Sequence, residues 1–175
     1  GFLKLIAVGW LRAMEADPAA RLDVVPVDDV ARRIVDAAIE GGTPVAVRHL
    51  TVGKAKAPTV RQGRDITQRY FQMHPPVDPR HRPRSMHLGP RDLRFRTIDF
   101  VMHHLPQYLA GLRSPTARRR AAKLRNRLRT QIREFSYFTT RTFDFVSSMP
   151  IDATYDPLAF VESVNAGVRE HLLKP

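Results

Sequence analysis

The stretch DVVPVDDVARRIVDAAIE (residues 23–40) limits the fold of this chain more than any other, because it predicts one amphipathic helix with clear ends. Asp28 or Asp29 suits the first turn as a cap, and Gly41-Gly42 ends the helix. The apolar residues recur at steps of three and four and share one helical face: Val27, Val30, Ala31, Ile34, Val35 and Ala38. The fold therefore depends on what covers this face.

A strand and a second helix follow, which makes a fragment of an alternating α/β pattern. Residues 45–52 (VAVRHLTV) are a short β-branched run and predict a strand. Thr59 is expected to cap a helix over about residues 60–73, with three residues facing inward: Ile66, Tyr70 and Phe71. Residues 2–16 suit either a strand or a short helix. One strand cannot make a sheet, so either residues 1–10 add a strand or the sheet lies outside this chain.

The second half of the chain is predicted to be mainly helical. Residues 74–96 carry five prolines and six arginines and predict an extended connector. Residues 97–112 suit a helix bent at Pro106. Ser114-Pro115 begins a long helix that reaches about residue 135, and a last helix covers about residues 157–173.

These elements predict the fold class and four regions. The fold class is an α/β remnant followed by a mainly helical C-terminal region, so the chain is mostly α. The regions are 1–77, the end of an α/β domain; 78–96, the connector rich in proline and arginine; 97–150, a helical region with a basic amphipathic helix and an aromatic block; and 151–175, a C-terminal helix.

The positive charge is concentrated in the middle of the chain. The net charge is +12, and residues 78–141 hold 16 Lys and Arg against 4 Asp and Glu. Such an excess predicts an anionic partner: nucleic acid, anionic lipid headgroups or a phosphorylated substrate. For the basic helix, residues 115–135, three interpretations stay open: a solvated face, a helix that lies on a membrane surface, or a nucleic-acid-binding helix. Nucleic acid is disfavoured, because no binding module is visible and aromatic residues are not interleaved with the arginines.

No catalytic, cofactor-binding or metal-ligating set can be recognised in the sequence. The chain has no cysteine, which favours a reducing compartment, and it has no Gly-x-Gly-x-x-Gly, Walker or Gly-x-Ser-x-Gly pattern. None of the four tyrosines has a lysine four residues later. His103 and His104 are adjacent and diverge on a helix, so metal ligation is a poor fit. We predict no catalytic residue and no metal site.

Three stretches in this order resemble one family. The segment DVVPVDDV (23–30) and its alanine-rich helix resemble the late part of extended short-chain dehydrogenase/reductases, and RHLTVGKAKAPTV (48–60) is similar to the strand and loop that come next there. The segment HHLPQYLAGL (103–112), the basic helix and the aromatic block FSYFTTRTFDF (135–145) look like the fatty acyl-CoA reductases of the male-sterility type. The resemblance covers about residues 20–150.

The resemblance implies an NADPH-dependent oxidoreductase that reduces a fatty acyl thioester to an aldehyde or alcohol. In that family the glycine-rich turn and the Tyr-Lys pair precede the segment that matches Asp23, in a Rossmann portion of about 200–300 residues. This chain would then be the substrate-side and C-terminal portion, and we expect it not to bind NADPH by itself. Its implied partners are a long-chain acyl-CoA, an anionic membrane surface and the missing Rossmann portion.

The resemblance also implies where this chain meets its substrate. The helices over residues 28–40, 60–73 and 97–112 would line or support an acyl channel. Five basic residues would contact the phosphates of coenzyme A or a membrane: Arg118, Arg119, Arg120, Lys123 and Arg127. We expect a cytoplasmic protein that is peripheral to a membrane. The alternatives are a membrane-binding helical module or a nucleic-acid-binding protein.

Overall fold

A computed structural model of the protein describes residues 2–40, 47–78, 81–148, 151 and 154–173. Within these residues the protein is mostly helical, with seven α-helices and one two-stranded parallel sheet. The helices are α1 Phe2–Ala7, α2 Val27–Ile39, α3 Val60–Met73, α4 Leu93–Asp99, α5 Leu105–Arg113, α6 Pro115–Thr139 and α7 Pro157–Leu172. The strands are β1 Ala13–Glu15 and β2 His87–Gly89, paired in parallel with Ala13 opposite His87.

The helices with clear start signals begin where the sequence predicts. At α3, the Thr59 hydroxyl accepts from the Gln62 backbone N–H at 3.1 Å, and the Gln62 side chain accepts from the Thr59 N–H at 2.8 Å. This is a complete capping box, which satisfies two backbone donors that a helix start leaves unpaired. At α6, the Ser114 hydroxyl accepts from the Ala117 N–H at 3.1 Å, and Pro115 occupies the first helical turn. Both predicted caps are confirmed.

The start of α2 differs from the prediction. The residue at the cap position is Pro26, which makes no side-chain cap, so Asp28 and Asp29 lie inside the first turn. In the first turn their negative charges still interact favourably with the positive end of the helix dipole. The predicted stop at Gly41-Gly42 lies outside the described residues.

The predicted strand at residues 45–52 is not formed in its described part, 47–52; residues 45 and 46 lie outside the described residues. The backbone there pairs with a later loop instead. The His49 N–H donates to the Ser148 hydroxyl at 2.7 Å, and the Ser148 N–H donates to the His49 carbonyl at 3.0 Å. A β-branched run becomes a strand only beside a ladder partner, and the sheet forms elsewhere.

The sheet comes from two segments in which the sequence shows no distinct strand. Residues 2–16 contain both α1 and β1, and the predicted connector, residues 74–96, contains β2 and the start of α4. Three-residue strands are too short for periodicity to reveal them. Their parallel pairing brings the later part of the connector back onto the N-terminal segment.

A π-helical segment, Phe100–His104, joins α4 to α5. Its defining bond runs from the Leu105 N–H to the Phe100 carbonyl, five residues back. Pro106 follows directly, and it has no N–H to donate and would crowd the carbonyl four residues earlier in a regular α-helix. The wider turn therefore lies at the place where the sequence predicts an irregularity at Pro106.

The hydrophobic core lies between α1, the sheet and the start of α3. Its buried members are Ile6, Leu11, Met14, Ala16, Ala20, Val60, Met86 and Leu88, with Ile132 of α6 packed against them. The turn between α1 and β1 contains Gly9 at a φ of +72°, and a Cβ there would collide with the carbonyl oxygen of Arg82. Glycine at this position thus allows the loop before β2 to close over the core.

α2 and α3 differ in how their apolar faces are covered. In α3, Phe71 is completely buried and Ile66 and Tyr70 are half-buried, as the sequence predicts for an inward face. In α2 no residue is buried, and Ile34 is 65% exposed and Ile39 80% exposed. The apolar face that most limits the fold is thus left uncovered within the described part of the chain.

Candidate functional site

An apolar cavity of about 670 Å³ lies beside the core, between the N-terminal sheet, α3, the end of α6 and α7. This volume falls in the range of about 300–1,000 Å³ that is typical of small-molecule sites. The apolar side chains around it come from separate parts of the chain and include Leu3, Ile6, Met14, Leu22, Val60, Met86, Phe135, Phe138, Phe143, Phe145, Phe160, Val161, Val164 and Val168. The surface that this cavity presents to a ligand is therefore mainly apolar.

α7 supplies one wall of the cavity. Asp156 caps the helix, its carboxylate accepting from the Leu158 N–H at 2.8 Å, and Pro157 occupies the first turn. Three valines at steps of three or four then line the cavity: Val161, Val164 and Val168.

An aromatic cluster at the end of α6 and in the segment after it supplies a second wall. The rings of Phe143 and Phe145 stack with centroids 5.3 Å apart and an angle of 9° between their planes. Phe138 lies 6.0 Å from Phe143, and the Arg141 guanidinium lies 4.7 Å from the centroid of the Tyr137 ring. These contacts fix a run of aromatic side chains that would otherwise be mobile in a loop.

The two threonine hydroxyls in the cavity wall are engaged within the protein. Thr139 donates to the Glu15 carbonyl at 3.0 Å, and Thr67 accepts from the buried Asn165 side chain at 3.3 Å. These two hydroxyls are therefore already engaged, and the mainly apolar lining around them favours a ligand with a long apolar part.

Four charged residues are among those that line the cavity. The Arg21 guanidinium donates to the Ala57 carbonyl at 2.7 Å, and the Arg64 guanidinium pairs with Asp65 at 2.6 Å. Lys54 is exposed and lies 3.4 Å from the Asp144 carboxylate, while Asp23 accepts from the Val52 N–H at 2.8 Å. Three cations and one carboxylate are therefore among the residues around the cavity, and the exposed ion pair of Lys54 is weak enough to exchange for another anion.

Of the five basic residues proposed from the sequence, the three whose side chains are described do not line this cavity. Arg118, Arg119 and Lys123 lie exposed on α6. The side chains of Arg120 and Arg127 lie outside the described residues. Arg118 lines a second groove, of about 580 Å³, whose other residues are Phe100, His104, Leu105, Tyr108, Gly111 and Leu112.

Of the three helices expected to form an acyl channel, one lines the 670 Å³ cavity. α3 contributes Val60, Gly63, Arg64 and Thr67, whereas no described residue of α2 or α5 takes part. The residues that sequence reasoning missed are those of α7 and the aromatic block. The spacing of the valines in α7, at steps of three and four, could have predicted that this helix presents an apolar face.

Tyr155 joins the segment before α2 to the segment before α7. Its hydroxyl donates to the Val24 carbonyl at 2.8 Å. Burial, followed by the nearby carboxylates of Asp29, Asp156 and Asp23, raises the pKa of Tyr155 to about 12. This shift is opposite to the one that would make a tyrosine a better acid at neutral pH, so Tyr155 is a structural residue and no candidate for proton transfer.

Replacing Tyr155 by phenylalanine should lower the free energy of unfolding by about 1 kcal/mol at neutral pH, the usual worth of one hydrogen bond. The folded pKa lies above the ordinary value of 10, so this contribution is complete below pH 10 and is lost as the pH rises towards 12. Urea denaturation of both proteins across that range should show their difference shrinking. A difference that stays constant with pH would contradict the role given to the neutral phenol.

Other kinds of site find no support in the described residues. No group of three His, Asp or Glu side chains there is close enough together to hold a metal ion. None of the described helices combines the length and the apolar composition that crossing a bilayer requires. The chain matches no protein-family model, no curated protein and no solved structure.

Proposed function

We propose that this chain forms the acyl-binding part of an NADPH-dependent oxidoreductase of the fatty acyl-CoA reductase type. The observation that carries the proposal is the 670 Å³ cavity, whose lining is mainly apolar and includes three basic residues. The hydrocarbon of a long-chain acyl thioester would occupy the cavity. The phosphates of coenzyme A would lie towards Arg21, Lys54 and Arg64, because guanidinium and ammonium groups bind phosphate through charge-assisted hydrogen bonds.

In this proposal, NADPH and the Tyr-Lys pair belong to a Rossmann portion that these 175 residues do not contain. Two features support the division. No glycine-rich phosphate loop occurs in the sequence, and the apolar face of α2 is uncovered in the described part of the chain. This chain would bind and orient the acyl group and exclude water from it, and the other portion would supply the hydride.

Calorimetric titration of the purified chain with octanoyl-, dodecanoyl- and palmitoyl-CoA tests the proposal, with free coenzyme A as the control. Burying one methylene contributes about 0.8 kcal/mol, so affinity should rise up to roughly fourfold per methylene until the cavity is full. Equal affinity for all three thioesters, or no binding, would contradict it. Addition of NADPH should give no oxidation of the nucleotide, and measurable oxidation would contradict the proposed division of labour.

A further inference from the structure

The hairpin of α5 and α6 carries an exposed apolar patch at its turn. Tyr108 is 67% exposed, Leu109 50% and Leu112 70%. Leu112 follows Tyr108 by four positions and Leu109 by three, so the three side chains project to the same side of α5. α5 packs against α6, and the patch remains outside that contact. An exposed cluster of large apolar residues on a short helix is typical of a surface that meets a partner.

One basic side chain, Arg118, lies directly beside this patch. Arg118 crosses α5 at Gly111, where its Cδ lies 3.2 Å from the position that a Cβ would take. It lines the same groove as Tyr108 and Leu112, which places a cation next to the apolar residues. Arg119 and Lys123 continue along α6 as exposed residues one turn apart.

The protein provides almost no acidic residue to neutralise these cations. Residues 93–133 contain eleven Lys and Arg but one acidic residue, Asp99, which lies 3.7 Å from His104. Within the described part of the chain, Arg118, Arg119 and Lys123 form no salt bridge. A surface with this charge is complementary to a dense array of anions.

We propose that this hairpin patch, made of Tyr108, Leu109, Leu112, Arg118, Arg119 and Lys123, docks on the surface of an anionic lipid bilayer. The leucines would enter the boundary between headgroups and acyl chains, the tyrosine would lie at headgroup level, and the cations would contact the headgroup phosphates. The phosphate backbone of a nucleic acid would also satisfy the cations, but it gives the exposed leucines no apolar surface to enter. The patch would bring the cavity of the proposed function close to the membrane, yet it is a separate surface and can be tested separately.

The test is flotation of the purified chain with vesicles of phosphatidylcholine that contain about one quarter phosphatidylserine. Each cation near such a surface contributes about fivefold to the affinity, so Arg118→Glu with Arg119→Glu should weaken binding by at least about 25-fold. The matched control is Arg61→Glu with Arg69→Glu, which makes the same charge change at exposed positions of α3 and should have little effect. Binding should also fall steeply with added salt.

A second pair of variants tests the apolar half of the patch. Leu109→Ser with Leu112→Ser should also reduce vesicle binding by tenfold or more, on the order of the loss of two partly inserted leucines. The control, Ile34→Ser with Val35→Ser, removes exposed apolar residues from α2 and should leave binding unchanged. The residues of all four substituted pairs are exposed. Thermal melts should confirm that the variants stay folded.

Three results would overturn the proposal. These are no binding to the anionic vesicles at low salt, an equal loss in the hairpin and control variants, or tighter binding to arbitrary DNA duplex that the same hairpin variants abolish. Palmitoyl-CoA affinity in the Arg118→Glu, Arg119→Glu protein should equal that of the wild type. Because the cavity lies elsewhere, failure of vesicle binding and failure of acyl binding are distinguishable results.

Discussion

Replacing Phe71 by alanine should lower the free energy of unfolding by about 3–5 kcal/mol, which is the range for truncating a fully buried phenylalanine. Phe71 has no exposed surface and lies on α3, which packs against both α1 and α7. Its ring also forms a T-shaped pair with the Tyr70 ring, with centroids 5.3 Å apart. The substitution would leave a void where α3 packs against α1 and α7, so it should also loosen the α3 wall of the 670 Å³ cavity.

Urea denaturation of the wild type and the Phe71→Ala protein measures this effect directly. The matched control is Met73→Ala, two residues later on the same helix, where the side chain is 59% exposed. Its cost should stay within about 0.5 kcal/mol, as for other surface substitutions. Similar losses at the two positions would mean that α3 does not pack as described.

Replacing Val164 by tryptophan should weaken palmitoyl-CoA binding by tens of fold while leaving octanoyl-CoA binding much less affected. Val164 lines the cavity from α7, and an indole there would take the space of several methylenes of a long chain. Each displaced methylene costs about 0.8 kcal/mol, or roughly fourfold in affinity. A shorter acyl group would still fit in the remaining volume.

The control for this substitution is Val146→Trp, because Val146 is 81% exposed and lies outside the residues that line the cavity. Calorimetric titration of both variants with the two thioesters gives the comparison. Equal effects of Val164→Trp and Val146→Trp would contradict binding of the acyl chain in this cavity. An equal loss of affinity for the short and the long thioester would contradict it as well.

Local signals in the sequence predict the helices well. Thr59 and Ser114-Pro115 place the starts of α3 and α6, because a cap depends on side chains within one turn. The sheet is different. β1 and β2 have three residues each and lie far apart in the chain, so their pairing depends on tertiary contacts that periodicity cannot show.

The candidate site was only partly predictable for the same reason. The sequence draws attention to the arginines of α6, since a local charge excess is visible without any structure. The cavity instead depends on Met14, Met86, Phe143 and Val164, which come from separate segments and meet only in the folded chain. Each of these residues, read alone, is typical of an ordinary hydrophobic core.

The most direct test of the acyl-binding account is photo-crosslinking with a palmitoyl-CoA that carries a diazirine along its chain, followed by mass spectrometric mapping of the labelled peptides. The account predicts labels on α3, on residues 135–145 and on α7, all competed by unlabelled palmitoyl-CoA. Labels confined to the exposed apolar faces of α2 or α5 would show that the hydrocarbon binds a surface, and would contradict the account.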